Sequence, residues 1–220
     1  MKANYIQRLR LTFSKNGPAR YIGHLDLART LERSFNRAKI PVAYTQGFNP
    51  RPRMAFAAAL PLGFCSEAEL VDLWLAVAME PQAAREQMMQ KMVPGIIISH
   101  IIEVPIKVVS LQAATRAATY AVTLLERLSR SDLQQRLDHV RMARVLNREW
   151  KRGNKVKEYD LRPLILELDL AASDDEGDLI WMKLLLETGK TGRPDEVLRA
   201  MDLDPNAARI TRKEIILDDH

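Results

Sequence analysis

The sequence predicts an α+β chain built from two successive βαββαβ halves, the second enlarged by insertions. Three observations point there. Apolar and polar residues alternate over 5–14, the period-two mark of a strand. Between His24 and Lys39, Leu27, Leu31, Phe35 and Ala38 recur at i, i+4, i+8 and i+11, the buried stripe of a helix. A similar order of strand and helix signals then comes round again after residue 117. At 220 residues the chain fits one large domain or two of about 100 residues each.

In the first half, Gly17-Pro18 ends the opening strand and Ile40-Pro41 ends the helix. Gly47, Pro50 and Pro52 make 47–53 an ordered loop. Strands are expected over Met54–Leu60 and Leu70–Ala78, with a turn at Pro61-Leu-Gly63 between them. A helix over Gln82–Met92 and a β-branched strand over Ile96–Val104 complete the half.

Residues 107–117 read as a linker. Beyond it the pattern gives a strand at Thr119–Leu125, a helix at Ser131–Met142 and a hairpin over Val145–Tyr159 turning at Arg152-Gly-Asn154. Asp160 with Pro163 three residues on suggests a capped helix start. A strand at Leu179–Leu186, a helix at Pro194–Met201 and a strand at Ile210–Leu217 follow. The division is therefore 1–106 and 118–220, two tandem ferredoxin-like halves, the second with insertions.

Composition excludes several classes. Hydrophobic residues make up 47% and charged residues 28%, which is ordinary for a globular protein. One cysteine allows no disulfide within the chain. One thiol also cannot hold an iron–sulfur cluster, which takes about four. No cofactor is expected in this chain. His24, His100, His139 and His220 have no metal-ligand spacing, so no metal site is expected either. No apolar run approaches the roughly 20 residues that span a bilayer, and the first residues lack a signal-peptide core. The expected location is cytoplasmic, with no membrane partner.

Charge is unevenly spread. Residues 1–64 carry eleven Lys/Arg against two Asp/Glu, and 116–157 carry eleven against four. Residues 65–106 carry two against six. Such segregation suggests a one-sided basic surface suited to phosphates; the plainer reading is a solvated face with scattered arginines.

Within the basic segments, Arg29, Arg33 and Arg37 recur every four residues, nearly opposite the apolar stripe of their helix. Guanidinium groups about 6 Å apart along a helix suit successive phosphates; otherwise they are a soluble face. The loop Gln46-Gly-Phe48-Asn49-Pro-Arg51-Pro-Arg53 joins an aromatic to two arginines on a stiff backbone, which suits base stacking with phosphate neutralisation. Alternatively Phe48 plugs the core. Arg162 and Arg193 each precede a proline at a helix start, where free N–H groups and an arginine make an anion site or a routine cap. Lys155 and Lys157 lie beside a basic hairpin tip. His24 and Asp26 open the first helix. They are either a general acid/base pair or a packed histidine beside a capping carboxylate.

The segments Arg20-Tyr-Ile-Gly-His24-Leu-Asp26-Leu-Ala-Arg29, Gln46 to Arg53 and Leu60-Pro-Leu-Gly63-Phe-Cys65-Ser66-Glu-Ala-Glu69 together resemble a bacterial family of unknown function. Its members are encoded beside, or fused to, cobalamin-binding radical-SAM proteins. Lys157-Glu-Tyr-Asp-Leu-Arg-Pro163, Gly192-Arg-Pro-Asp-Glu-Val-Leu198 and Ile210-Thr-Arg212 extend the resemblance over most of the chain. Gly23 stands where the family usually has Ser, and Arg51 where His is common. The resemblance implies a cobalamin-type radical-SAM partner and adds Arg212 to the candidate anion contacts. At the fold level, tandem ferredoxin-like halves with basic loops also resemble CRISPR repeat-processing endoribonucleases. Their Gly-rich C-terminal loop is missing here, and fold likeness is weak evidence of function.

The expected function is an RNA-binding or substrate-presenting accessory to the radical-SAM enzyme. The alternatives are an RNA-cleaving or RNA-modifying enzyme using His24 and Asp26, and a purely protein-binding subunit of that partner.

Overall fold

A computed structural model describes residues 5–126, 128–152, 155–171 and 178–218, with the side chains of 150–152, 155 and 157 left aside. The chain divides into two compact units. One is Met1–Thr115 with Leu217–His220; the other is Arg116–Ile216. Both are α+β, and their strand pairs are antiparallel wherever the register is defined.

The first unit runs β1 (Gln7–Lys15), α1 (His24–Arg37), β2 (Met54–Phe56), β3 (Cys65–Leu75), α2 (Pro81–Met89) and β4 (Ile96–Glu103). Its strands lie in the order β4-β1-β3-β2. Alternation puts Leu9, Leu11 and Phe13 of β1 on one face with Val71, Leu73 and Leu75 of β3. Leu27, Leu31 and Phe35 of α1 and Ala84 and Met88 of α2 close over that face, and the core lies between. Glu80 caps α2 by accepting the Ala83 N–H, with Pro81 in the first turn. Gly95 must be glycine: its φ is +87°, and a Cβ there would lie 2.5 Å from the Asn16 carbonyl oxygen.

Two expectations change here. The strand expected over 54–60 stops at Phe56. The segment 107–117 is folded: Ser110 caps a single turn, α3 (Leu111–Ala114), whose Leu111 is buried, and Thr115 opens the next strand.

The second unit runs β5 (Thr115–Leu124), α4 (Arg130–Met142), the hairpin β6 (Asn147–Arg152) and β7 (Lys155–Asp160), β8 (Ile165–Leu170), β9 (Leu179–Glu187), β10 (Lys190–Thr191), α5 (Pro194–Ala200) and β11 (Ala208–Leu217). Its sheet order is β10-β9-β5-β11, with β8 also paired to β9. Hairpin β6–β7 forms a separate two-stranded sheet; its expected turn at 153–154 lies outside the described residues.

The helix expected at Asp160 is not formed. Asp160 accepts N–H bonds from Leu146 and Arg162, and Pro163 sits in a three-residue 3₁₀ turn, Arg162–Leu164. The chain then enters β8, whose pairing with β9 buries Ile165 and Leu168. Burial on a sheet outweighs the local start signal.

Candidate functional site

Helix α1 presents its polar face outward because its apolar stripe is fixed on the sheet. Arg29, Arg33 and Arg37 all lie on the solvent side. Arg29 makes a loose 3.4 Å pair with Asp26, both more than 60% exposed; such a pair is worth little. Arg33 faces no carboxylate within ion-pair distance among the described residues. Arg37 is committed elsewhere. It donates to the Ser34 hydroxyl at 3.2 Å and the Lys91 carbonyl at 3.0 Å, tying α1 to the end of α2. With Lys39 and Lys91 it lines an open groove between those helix ends.

The loop leaving α1 returns to that face. Extended segments on either side are bridged at Tyr44 and Pro52, and Thr45 donates its N–H to the Arg51 carbonyl. The Tyr44 hydroxyl meets the Asn36 side-chain oxygen at 3.1 Å. At 100° per residue, Asn36 falls on the helical face of Arg29 and Arg33, so the loop stands beside the arginines. Asn49 and Arg51 are exposed, and Phe48 is fully exposed at 106%. Phe48 is therefore no core plug.

Arg53 does not join this surface, contrary to the expectation. Its guanidinium lies 4.5 Å from the Tyr5 ring centre and 5.3 Å from that of Trp74. Trp74 alternates with the core residues Leu73 and Leu75, so it belongs to the sheet face away from α1. The cationic surface therefore ends at Arg51.

His24 and Asp26 are not brought together. The His24 ring packs edge-on against Phe56 at 5.0 Å, while Asp26 turns to Arg29. Gly23 is the N-cap of α1, so Asp26 is not the capping residue either.

In the second unit Arg162, Arg193 and Arg212 are spent on structure. Arg162 donates to the carbonyls of Ile165 and Arg141. Arg193 grips Asp195 with two bonds of 3.0 and 2.8 Å, which hold its guanidinium above its usual pKa. Arg212 is 1% exposed and lies 5.7 Å over the Tyr120 ring, so it cannot meet a ligand phosphate. Lys155 and Lys157 occupy β7 opposite Arg152 and Trp150, but their side chains lie outside the described residues.

A buried polar set escaped sequence reasoning. Asp72 is 0% exposed in the middle of β3, where it accepts from both Arg8 and Arg10 across the sheet. Arg8 also donates to the Val108 carbonyl. Lys15, Ser66 and Glu69 are buried at the end of the same two strands, and the Lys15 ammonium meets the Arg20 carbonyl at 3.2 Å. The available signal was a carboxylate inside the apolar run Leu70-Val-Asp72-Leu-Trp-Leu75. Among the described residues, no group of three or more His, Cys, Asp or Glu could hold a metal ion, and no helix is long and apolar enough to cross a membrane.

The fold and this surface define an α+β protein with an exposed arginine face and an adjoining aromatic loop. The chain belongs to the family described as uncharacterized protein conserved in bacteria (DUF2344), which matches residues 8–194. A comparison with curated proteins finds no match. Among solved structures, a chain of a Cbf5-Nop10-Gar1 complex is similar over 99% of this chain and 51% of its own length, at 9% identity and TM-score 0.48. This chain thus spans about half of that one, and likeness at this level carries no functional argument.

Proposed function

We propose that this protein is an RNA-binding, substrate-presenting accessory that works with a cobalamin-type radical-SAM enzyme in the cytoplasm. The observation that carries the RNA part is the pairing of an under-neutralised arginine face with an exposed loop. Arg29 and Arg33 lie open on α1, and Tyr44 anchors the loop bearing Phe48, Asn49 and Arg51 to the same face through Asn36. Cations along a track beside a free aromatic ring suit a nucleic-acid strand. The radical-SAM partner rests on the family resemblance. The strand orders β4-β1-β3-β2 and β11-β5-β9-β8 support reading each unit as ferredoxin-like, the second with hairpin β6–β7 inserted after its first helix.

The enzyme reading loses support because His24 packs on Phe56 rather than engaging Asp26. The protein-binding reading keeps one observation. Tyr21, Leu25 and Leu62 are each more than 60% exposed, and a bond from the Gly63 N–H to the Arg20 carbonyl brings Leu62 toward Tyr21. Fluorescence anisotropy with single-stranded and transfer-RNA probes tests the RNA reading. Binding is expected at about 50 mM salt and should weaken steeply by about 200 mM. Absence of binding at the lower salt contradicts it.

A further inference from the structure

We infer that the tip of the loop between α1 and β2 is a stacking site for one unpaired nucleotide, with Phe48 as the platform and Arg29 and Arg33 holding the flanking phosphates. The inference rests on the RNA reading and deepens it, since it names single-stranded rather than duplex RNA.

The first support is isolation. Phe48 is the most exposed of the large apolar residues among the described ones, and Thr45, Gln46, Asn49, Pro50 and Arg51 around it are exposed as well. A protein-docking hot spot needs a contiguous apolar patch that excludes water from its centre. One ring among polar and cationic neighbours lacks that patch, whereas a base needs only the ring face.

The second support is pre-organisation. Gly47 has φ +141°, a conformation that side-chain-bearing residues rarely adopt. Pro50 and Pro52 stiffen the return, Arg51 donates its N–H to the Thr45 hydroxyl, and Tyr44 fixes the root on Asn36. A ring presented on a braced loop loses little freedom when a ligand covers it.

The third support is position. The loop root lies on the helical face of Arg29 and Arg33, so a strand whose base covers Phe48 has its backbone led toward two cations. Bases inside a duplex are stacked on one another and unavailable to a protein ring, so the site selects a splayed base.

The test uses the full-length chain and three probes: a labelled single strand of about 12 nucleotides, the same strand in a duplex, and the strand with central abasic positions. Single-stranded RNA should bind more tightly than duplex. Phe48→Ala should weaken single-strand binding roughly ten-fold, comparable with the loss of one stacked base. It should leave duplex binding unchanged, and Phe48→Trp should restore affinity with its fluorescence quenched by the strand. Gly47→Ala should imitate Phe48→Ala by displacing the ring. The abasic strand should bind wild type and Phe48→Ala alike. If Phe48→Ala leaves single-strand affinity intact while Arg29→Glu with Arg33→Glu abolishes it, stacking is wrong and the RNA reading survives. Phe48 would then take no part in RNA binding. If wild type binds none of the probes, both fall.

Discussion

The α1 arginines and the ion-paired arginines of the second unit differ in what holds them. On α1, Arg29 has only a loose exposed pair and Arg33 none among the described residues. In the second unit, Arg136 pairs with Asp132, Arg141 with Asp138 and Asp169, Arg148 with Glu196, Arg193 with Asp195, and Arg199 with Asp195 and Glu196. Both regions look strongly basic along the sequence, yet these arginines of the second unit are held by carboxylates while Arg29 and Arg33 largely are not. Formal charge counts a segment's own residues, whereas the field a ligand meets depends on carboxylates brought in from elsewhere. Glu196 reaches Arg148 from 48 residues away.

The sharpest way to stress this comparison is at the most deeply paired arginines. Replacing Asp72 by Ala should leave buried Arg8 and partly buried Arg10 without their counter-ion on the sheet face opposite the core. The expected cost is about 3–5 kcal/mol, read by urea denaturation. A loss below about 1 kcal/mol would mean that Asp72 is not their shared anchor.

Next come the open arginines. Arg29→Glu with Arg33→Glu should lower RNA affinity at least ten-fold, by removing two cations and adding two anions. Exposed substitutions of this kind shift stability by no more than about 0.5 kcal/mol. Arg193→Ala should do the reverse. It should cost about 1 kcal/mol of stability, an ion-pair loss discounted for the exposure of the guanidinium, and leave RNA affinity unchanged.

The smallest effect concerns Glu80, the cap of α2. Hydrogen bonds from the Gln82 and Ala83 backbone hold its carboxyl below the usual value. The folded pKa is depressed, so the stabilisation is full above the ordinary carboxylate pKa and is lost as pH falls through the folded value. Protection factors of the Gln82 and Ala83 amides, taken relative to intrinsic exchange at each pH, should therefore fall on acidification in wild type. Glu80→Gln should remove that pH dependence.

These contrasts also mark what the sequence could disclose. Helix α1 was legible because Leu27, Leu31 and Phe35 form an unbroken stripe that one sheet face buries. The exposed arginine face followed from the same period. Strand β8 was not legible, because Asp160 and Pro163 mimic a helix start and only the pairing with β9 shows otherwise. Arg212 and Arg193 were misjudged for a common reason: their burial and partners come from the folded unit and not from neighbours in a motif. Arg53 was assigned to the wrong face because its guanidinium stacks on Tyr5 and Trp74, which are far from it in sequence.

The central claim is that Arg29 and Arg33 are free to meet phosphates while the ion-paired Arg193 and Arg199 are not. It is tested most directly by the salt dependence of RNA binding in wild type, in Arg29→Ala/Arg33→Ala and in Arg193→Ala/Arg199→Ala. For single strands, losing two phosphate contacts should flatten the slope of log affinity against log salt by about 1.4. The Arg29/Arg33 variant should show that flattening, while the Arg193/Arg199 variant runs parallel to wild type. Equal flattening in both variants, or none in the Arg29/Arg33 variant, would contradict the account.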